Sequence, residues 1–178
     1  MISFPARDNR HDPNPADQAD RPGRSARRLG LPLIALIGLA LLGAPRVVLH
    51  DLDIISEGTA INALFVFGPL LVWIVVALWA KVPNAFLTLL TVGVFYGILL
   101  AAGHQVVWTA QFDGAPPRLG GNLADLEPGQ SNLIVRLFAA GSSLITGTFV
   151  GAATGAIAWI IDRLVGRKRQ RPAESGSA

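Results

Sequence analysis

The sequence predicts an all-α fold: a polytopic integral membrane helical bundle of four transmembrane helices, with both termini cytoplasmic. Three observations carry this reading. The chain of 178 residues is 51% hydrophobic, with mean hydropathy +0.46, and its apolar residues gather in blocks of the length that crosses a bilayer. The central parts of the later blocks, residues 61–80, 82–103 and 137–161, hold no Asp, Glu, Lys, Arg or His. The positive charges lie beside the blocks, where they act as a topology signal.

Residues 1–28 are polar, proline-rich and mixed in charge. They lack the apolar content to bury a core, so a disordered cytoplasmic tail is expected. The transmembrane domain is expected over 29–166. Its first span covers about 31–50, although the uninterrupted part, Leu31 to Ala44, reaches only roughly 21 Å against a hydrocarbon core of about 30 Å. Extending it to His50 places a kink at Pro45 and a snorkelling Arg46 near its end. A rival reading takes 31–44 as a cleaved signal. Pro45 just after the cut site and the long preceding tail count against it.

The second span, 61–80, contains Pro69, which leaves the Phe65 carbonyl without its usual helical donor and predicts a bend. Trp79 and Lys81 mark an interface, and "KVPN" (81–84) reads as a tight turn. The third span, 85–108, ends in His104, Gln105 and Trp108. Residues 109–131 form an outer loop rich in Gly and Pro, expected either to carry a short helix near "NLADLE" or to fold back over the bundle. The fourth block, Asn132 to Val165, is far too long for one crossing. Counting back from Trp159 places the span at 140–162, with residues 132–140 projecting outward or lying on the surface after a break at Gly141. A basic, flexible tail, 167–178, follows.

Charge tests this layout. Of the 15 Lys and Arg residues, only Arg46, Arg118 and Arg136 fall outside when the N-terminus is cytoplasmic. The other twelve fall inside, as the positive-inside rule requires. Scarce lysine beside abundant Arg, Ala and Gly suggests a GC-rich bacterial genome, hence a bacterial plasma membrane.

Chemistry finds little support. The chain has no cysteine, which removes thiol catalysis and Cys-ligated metal. A mid-membrane ionisable group, usual in proton-coupled transporters, is missing from the last three spans. His50, Asp51, Asp53, Glu57, His104, Gln105 and Asp113 share the outer face, but nothing resembles a metal-ligand spacing. Ser142 and Ser143 lack a nucleophile elbow and an evident base. No enzymatic activity, metal or cofactor is expected, and no basic face exists to bind nucleic acid. The polybasic "RKRQR" serves as a stop-transfer cluster that also attracts anionic lipid. No motif ties the chain to a known family.

One pattern remains. Ser143, Gly147, Gly151 and Gly155 stand four apart, hence on one helical face about 18 Å long. Gly93, Gly97 and Ala101 form a matching stripe in the third span. In lipid, close backbone approach is what draws helices together, so a helix-packing seam between spans three and four is expected. The same stripe in a second copy is the rival partner, and a ligand or lipid groove is the third reading. The functional expectation is a non-catalytic scaffold, accessory or structural membrane component. Its partners would be the bilayer and a homo-oligomer or another membrane protein. An oligomeric channel or passive transporter for a small solute is the alternative.

Overall fold

The computed structural model describes residues 29–169 except Asp53, Glu57, Asp113, Gly114 and Pro116; the side chains of His50, Asp51 and residues 166–169 are also not described. The expectations for the two tails lie outside these residues. Among the described residues there are five helices and a 3-10 turn: α1 (Leu33–Leu41), α2 (Ala44–Asp51), α3 (Ala60–Trp79), α4 (Ala85–Gln111), the turn Gly121–Leu123 and α5 (Pro128–Arg169). The chain is all-helical among the described residues. Among the described residues three helices, α3, α4 and α5, are long and apolar enough to cross a membrane, and the apolar stretch Leu33–Leu49 is shorter.

The first apolar block departs from the expected single kinked span. It breaks at Leu42–Gly43 into α1 and α2. The reason is Pro45, whose ring would clash with the Leu41 carbonyl in a continuous helix. The chain instead stops at Leu41 and restarts so that proline falls in a first turn, where it needs no donor. The last turn of α1 tightens, with Leu42 N–H donating to Leu39 O and Gly43 N–H to Ala40 O, each at 3.2 Å. The Leu39 carbonyl also accepts from the buried Trp73 Nε1 at 2.7 Å. A backbone acceptor at a break inside lipid is costly when unpaired, and the indole of α3 satisfies this one.

Helix ends carry their own signals. Thr59 caps α3 by accepting from Asn62 N–H at 3.2 Å, and Asn84 caps α4 by accepting from Leu87 N–H at 3.0 Å. Between them, α3 closes in a Schellman turn. Val82 N–H reaches Ala77 O, Lys81 N–H reaches Leu78 O, and Lys81 takes the left-handed conformation with φ 49°.

Helix α4 is the hub, touching each of the other four helices. The buried core joins Leu36, Leu39 and Ala40 of α1, Trp73 and Ala77 of α3, Leu89 and Val92 of α4, and Ala158 of α5. Thr88, fully buried, donates to the Leu29 carbonyl at 2.7 Å and to Asn84 O at 2.8 Å. Large apolar side chains such as Phe67, Leu71, Val106 and Phe149 point outward instead, as a lipid-facing surface requires and an aqueous one does not.

The fourth block also differs from expectation. No break occurs at Gly141; α5 runs unbroken for 42 residues, roughly 63 Å. One glycine costs a helix only about 1 kcal/mol, and the N-terminal end of α5 is braced by α4, itself 27 residues long. The short helix expected near "NLADLE" is the 3-10 turn Gly121–Leu123.

Replacing Trp73 with Phe removes the donor to Leu39. We expect a loss of about 1–2 kcal/mol in a detergent unfolding titration. Trp79→Phe, at a position 83% exposed, should change the midpoint little.

Candidate functional site

The most closely built feature of the chain is the contact between α4 and α5. Its geometry is set by absent side chains. A Cβ placed on Gly93 would collide with backbone atoms of Gly147 and Gly151, and one on Gly147 with the backbone of Gly97. At Gly151 it would lie 2.7 Å from the Leu89 carbonyl oxygen and from Gly93 Cα. At Gly97 it would lie 3.0 Å from Leu144 Cα, and at Gly155 2.8 Å from the Phe86 carbonyl oxygen. At Gly93, Gly147, Gly151 and Gly155 these are backbone approaches that a side chain would force apart, and at Gly97 the fit is tight.

The contacts run antiparallel and stay in register. From one end to the other, Phe86 meets Gly155, Gly93 meets Gly147 and Gly151, and Gly97 meets Gly147 and Leu144. Beyond the glycines, Gln105 meets Arg136 and Trp108 meets Asn132. From Phe86 to Trp108 this is roughly 33 Å of continuous pairing. Ser143, Gly147, Gly151 and Gly155 are all buried within the single chain, as are Gly93 and Gly97. Ala101, one turn beyond Gly97, is half-buried.

Hydroxyls along α5 are held by its own backbone. Ser142 and Ser143 both donate to Ala139 O, at 3.0 and 2.8 Å. Thr154 donates to Val150 O at 2.8 Å and Gly151 O at 3.2 Å. A hydroxyl so engaged is not presented as a nucleophile.

Polar side chains lock the Trp108 end of the pair. Gln105 donates from Nε2 to the Arg136 carbonyl at 3.3 Å, and its Oε1 accepts from Arg136 Nη1 at 2.9 Å. The Arg136 guanidinium lies 4.7 Å from the Trp108 ring centre, and Trp108 Nε1 donates to Asn132 Oδ1 at 3.0 Å. At the opposite end Arg163 lies 4.4 Å from the Trp159 ring centre. The two arginines on α5 stand roughly 40 Å apart along the axis, close to the thickness of a bilayer with its headgroups.

The outer candidates for metal or hydrolytic chemistry are only partly described. Asp53, Glu57 and Asp113, with the side chains of His50 and Asp51, lie outside the described residues. Gln105 is committed to Arg136, and His104, its neighbour on α4, is half-buried. Among the described residues no group of three His, Asp or Glu is placed to hold a metal ion.

No known protein family matches the chain, and neither a curated protein nor a solved structure is similar to it. Function must therefore be read from the geometry alone.

Sequence reasoning missed two parts of this arrangement. Gly43 faces the ring of Tyr96, where a Cβ would come within 2.6 Å, and Tyr96 packs edge-on to Trp73 with ring centres 5.7 Å apart. Pro45, just after Gly43, was the available signal that the chain turns there.

Gly147→Ala should force α4 and α5 apart and destabilise the monomer by about 1–3 kcal/mol. Gly141→Ala, with no atom within 4 Å of the new methyl, should be neutral or slightly stabilising. Detergent unfolding of the two variants checks the difference. Gly151→Leu should likewise destabilise the monomer itself, visible in the same assay.

Proposed function

We propose that the chain is a non-catalytic multi-pass component of a bacterial plasma membrane, serving as a scaffold, accessory subunit or structural element. The supporting observation is the use of the small-residue face. Ser143, Gly147, Gly151 and Gly155 are buried against α4 inside one chain. That face is therefore not available to line a pore or to join a second copy. The charge-free depth of α3, α4 and α5 points the same way, since a coupled transporter keeps an ionisable group there. Stacked arginine–tryptophan pairs at the two ends of α5 suit a helix anchored at both surfaces. The charge bias favours cytoplasmic termini, with the turn after α3 on the same side.

Two measurements test this. The chain lacks cysteine, so single cysteines report orientation directly. Pro5→Cys, Lys81→Cys and Ser175→Cys should react with an impermeant reagent from the cytoplasmic side, and Gln130→Cys from the other. Labelling of Lys81→Cys and Gln130→Cys from one side would overturn the topology. In proteoliposomes, the purified chain should not raise the flux of small neutral solutes above that of empty vesicles. A saturable flux would replace the scaffold reading with a passive transporter.

A further inference from the structure

Two hollows flank α3. The first, about 220 Å³ in volume, lies among Gly43, Arg46, Phe65, Pro69, Trp73 and Tyr96. The second is a groove of about 490 Å³ between α3 and α5, bounded by Phe67, Leu71 and Ile74 on one side and Phe149, Ala153 and Ile157 on the other. Leu70 and Val150 line both, so the two hollows adjoin. Phe67 and Phe149, strongly exposed, leave the groove open to the lipid-facing side.

The first hollow is polar at one end. Arg46 donates from Nε to Asn62 Oδ1 at 3.2 Å. A guanidinium carries five donors, and among the described residues no carboxylate pairs with this one. Tyr96 also lines the hollow, and its hydroxyl has no hydrogen-bond partner among the described residues, leaving it free to meet an anion there. Pro69, lacking an N–H, leaves the Phe65 carbonyl beside it without a helical donor. The second hollow has apolar walls throughout, within the common size range for a ligand pocket of about 300–1,000 Å³.

We propose that an anionic phospholipid occupies these two hollows, its phosphate on Arg46 and Tyr96 and an acyl chain in the groove between α3 and α5. A helix of a second copy could cover the groove, but it would bring no anion to Arg46. A free phosphate would meet Arg46 and leave the groove empty. The phospholipid matches both ends, since its charge offsets a cation held beside the bilayer and its chain enters sideways from the lipid. Gly43 is part of the device. Its missing side chain lets the Tyr96 ring lie against the α1–α2 break, at the wall of the hollow.

Native mass spectrometry of the full chain, released from detergent with equal amounts of dioleoylphosphatidylglycerol and dioleoylphosphatidylcholine, tests this. Both lipids offer a phosphate, but the choline cation of phosphatidylcholine is repelled by the Arg46 guanidinium, so bound phosphatidylglycerol should exceed phosphatidylcholine several-fold. Arg46→Gln should bring the two near parity, while Arg163→Gln keeps the preference. Ala153→Trp, at an exposed residue of the groove, should cut the binding of both lipids several-fold. A preference that survives Arg46→Gln, or lipid binding untouched by Ala153→Trp, would overturn the proposal. If Arg46→Gln does not fold, the wild-type chain decides. Phosphatidylglycerol should raise its melting temperature in detergent and inorganic phosphate should not; an equal rise with both would mean a site for free anions.

Discussion

Everything in this bundle hangs on how closely two backbones can approach. Inside a bilayer there is no water to expel from between helices, so apolar side chains gain little by meeting each other. What remains is dispersion, which needs atoms in contact, and α4 and α5 obtain it by removing the atoms in between. Glycine at 93, 97, 147 and 151 brings main chain against main chain. The cost of glycine in a helix, about 1 kcal/mol each in water, is offset by that contact and by the absence of any aqueous alternative for the backbone.

The remaining helices are arranged around the pair by polar attachments at points where the backbone would otherwise be exposed. Trp73 answers the carbonyl at the end of α1. Thr88 answers the carbonyl of Leu29. Gln105 answers that of Arg136 while also holding its guanidinium. In each case a side chain on α3 or α4 closes a backbone or side-chain group on a neighbour, which fixes the height of one element against the next. Helix α3 is the least constrained by such bonds on its α5 side, and the hollows lie there.

The sequence was legible where a period or a composition carried the physics. Apolar blocks predicted the helices because lipid rewards nothing else, and the four-residue spacing of Gly93, Gly97 and of Gly147, Gly151 marked two faces that the fold sets opposite each other. It was less legible where one residue acts on a distant neighbour. Pro45 reads as a kink by itself, but its clash with Leu41 is relieved by a full break because Trp73 takes up a carbonyl there. Gly141 reads as a weak point by itself, yet the N-terminal half of α5 is held by Trp108 and Gln105 of α4, and the helix runs through. The hollow beside Arg46 could not be read at all, since its walls come from four helices and none of its residues forms a motif.

The seam has a consequence for how the bundle assembles. Most helix contacts can close by degrees, because leucines and isoleucines exchange rotamers to fit an imperfect approach. Glycine has no rotamer to exchange and loses no side-chain entropy on closing. With only main-chain surfaces facing each other, a small separation already forfeits much of the attraction. The joint between α4 and α5 therefore behaves as a latch with two positions, seated or apart. Whatever moves in this protein must move around that pair and not within it.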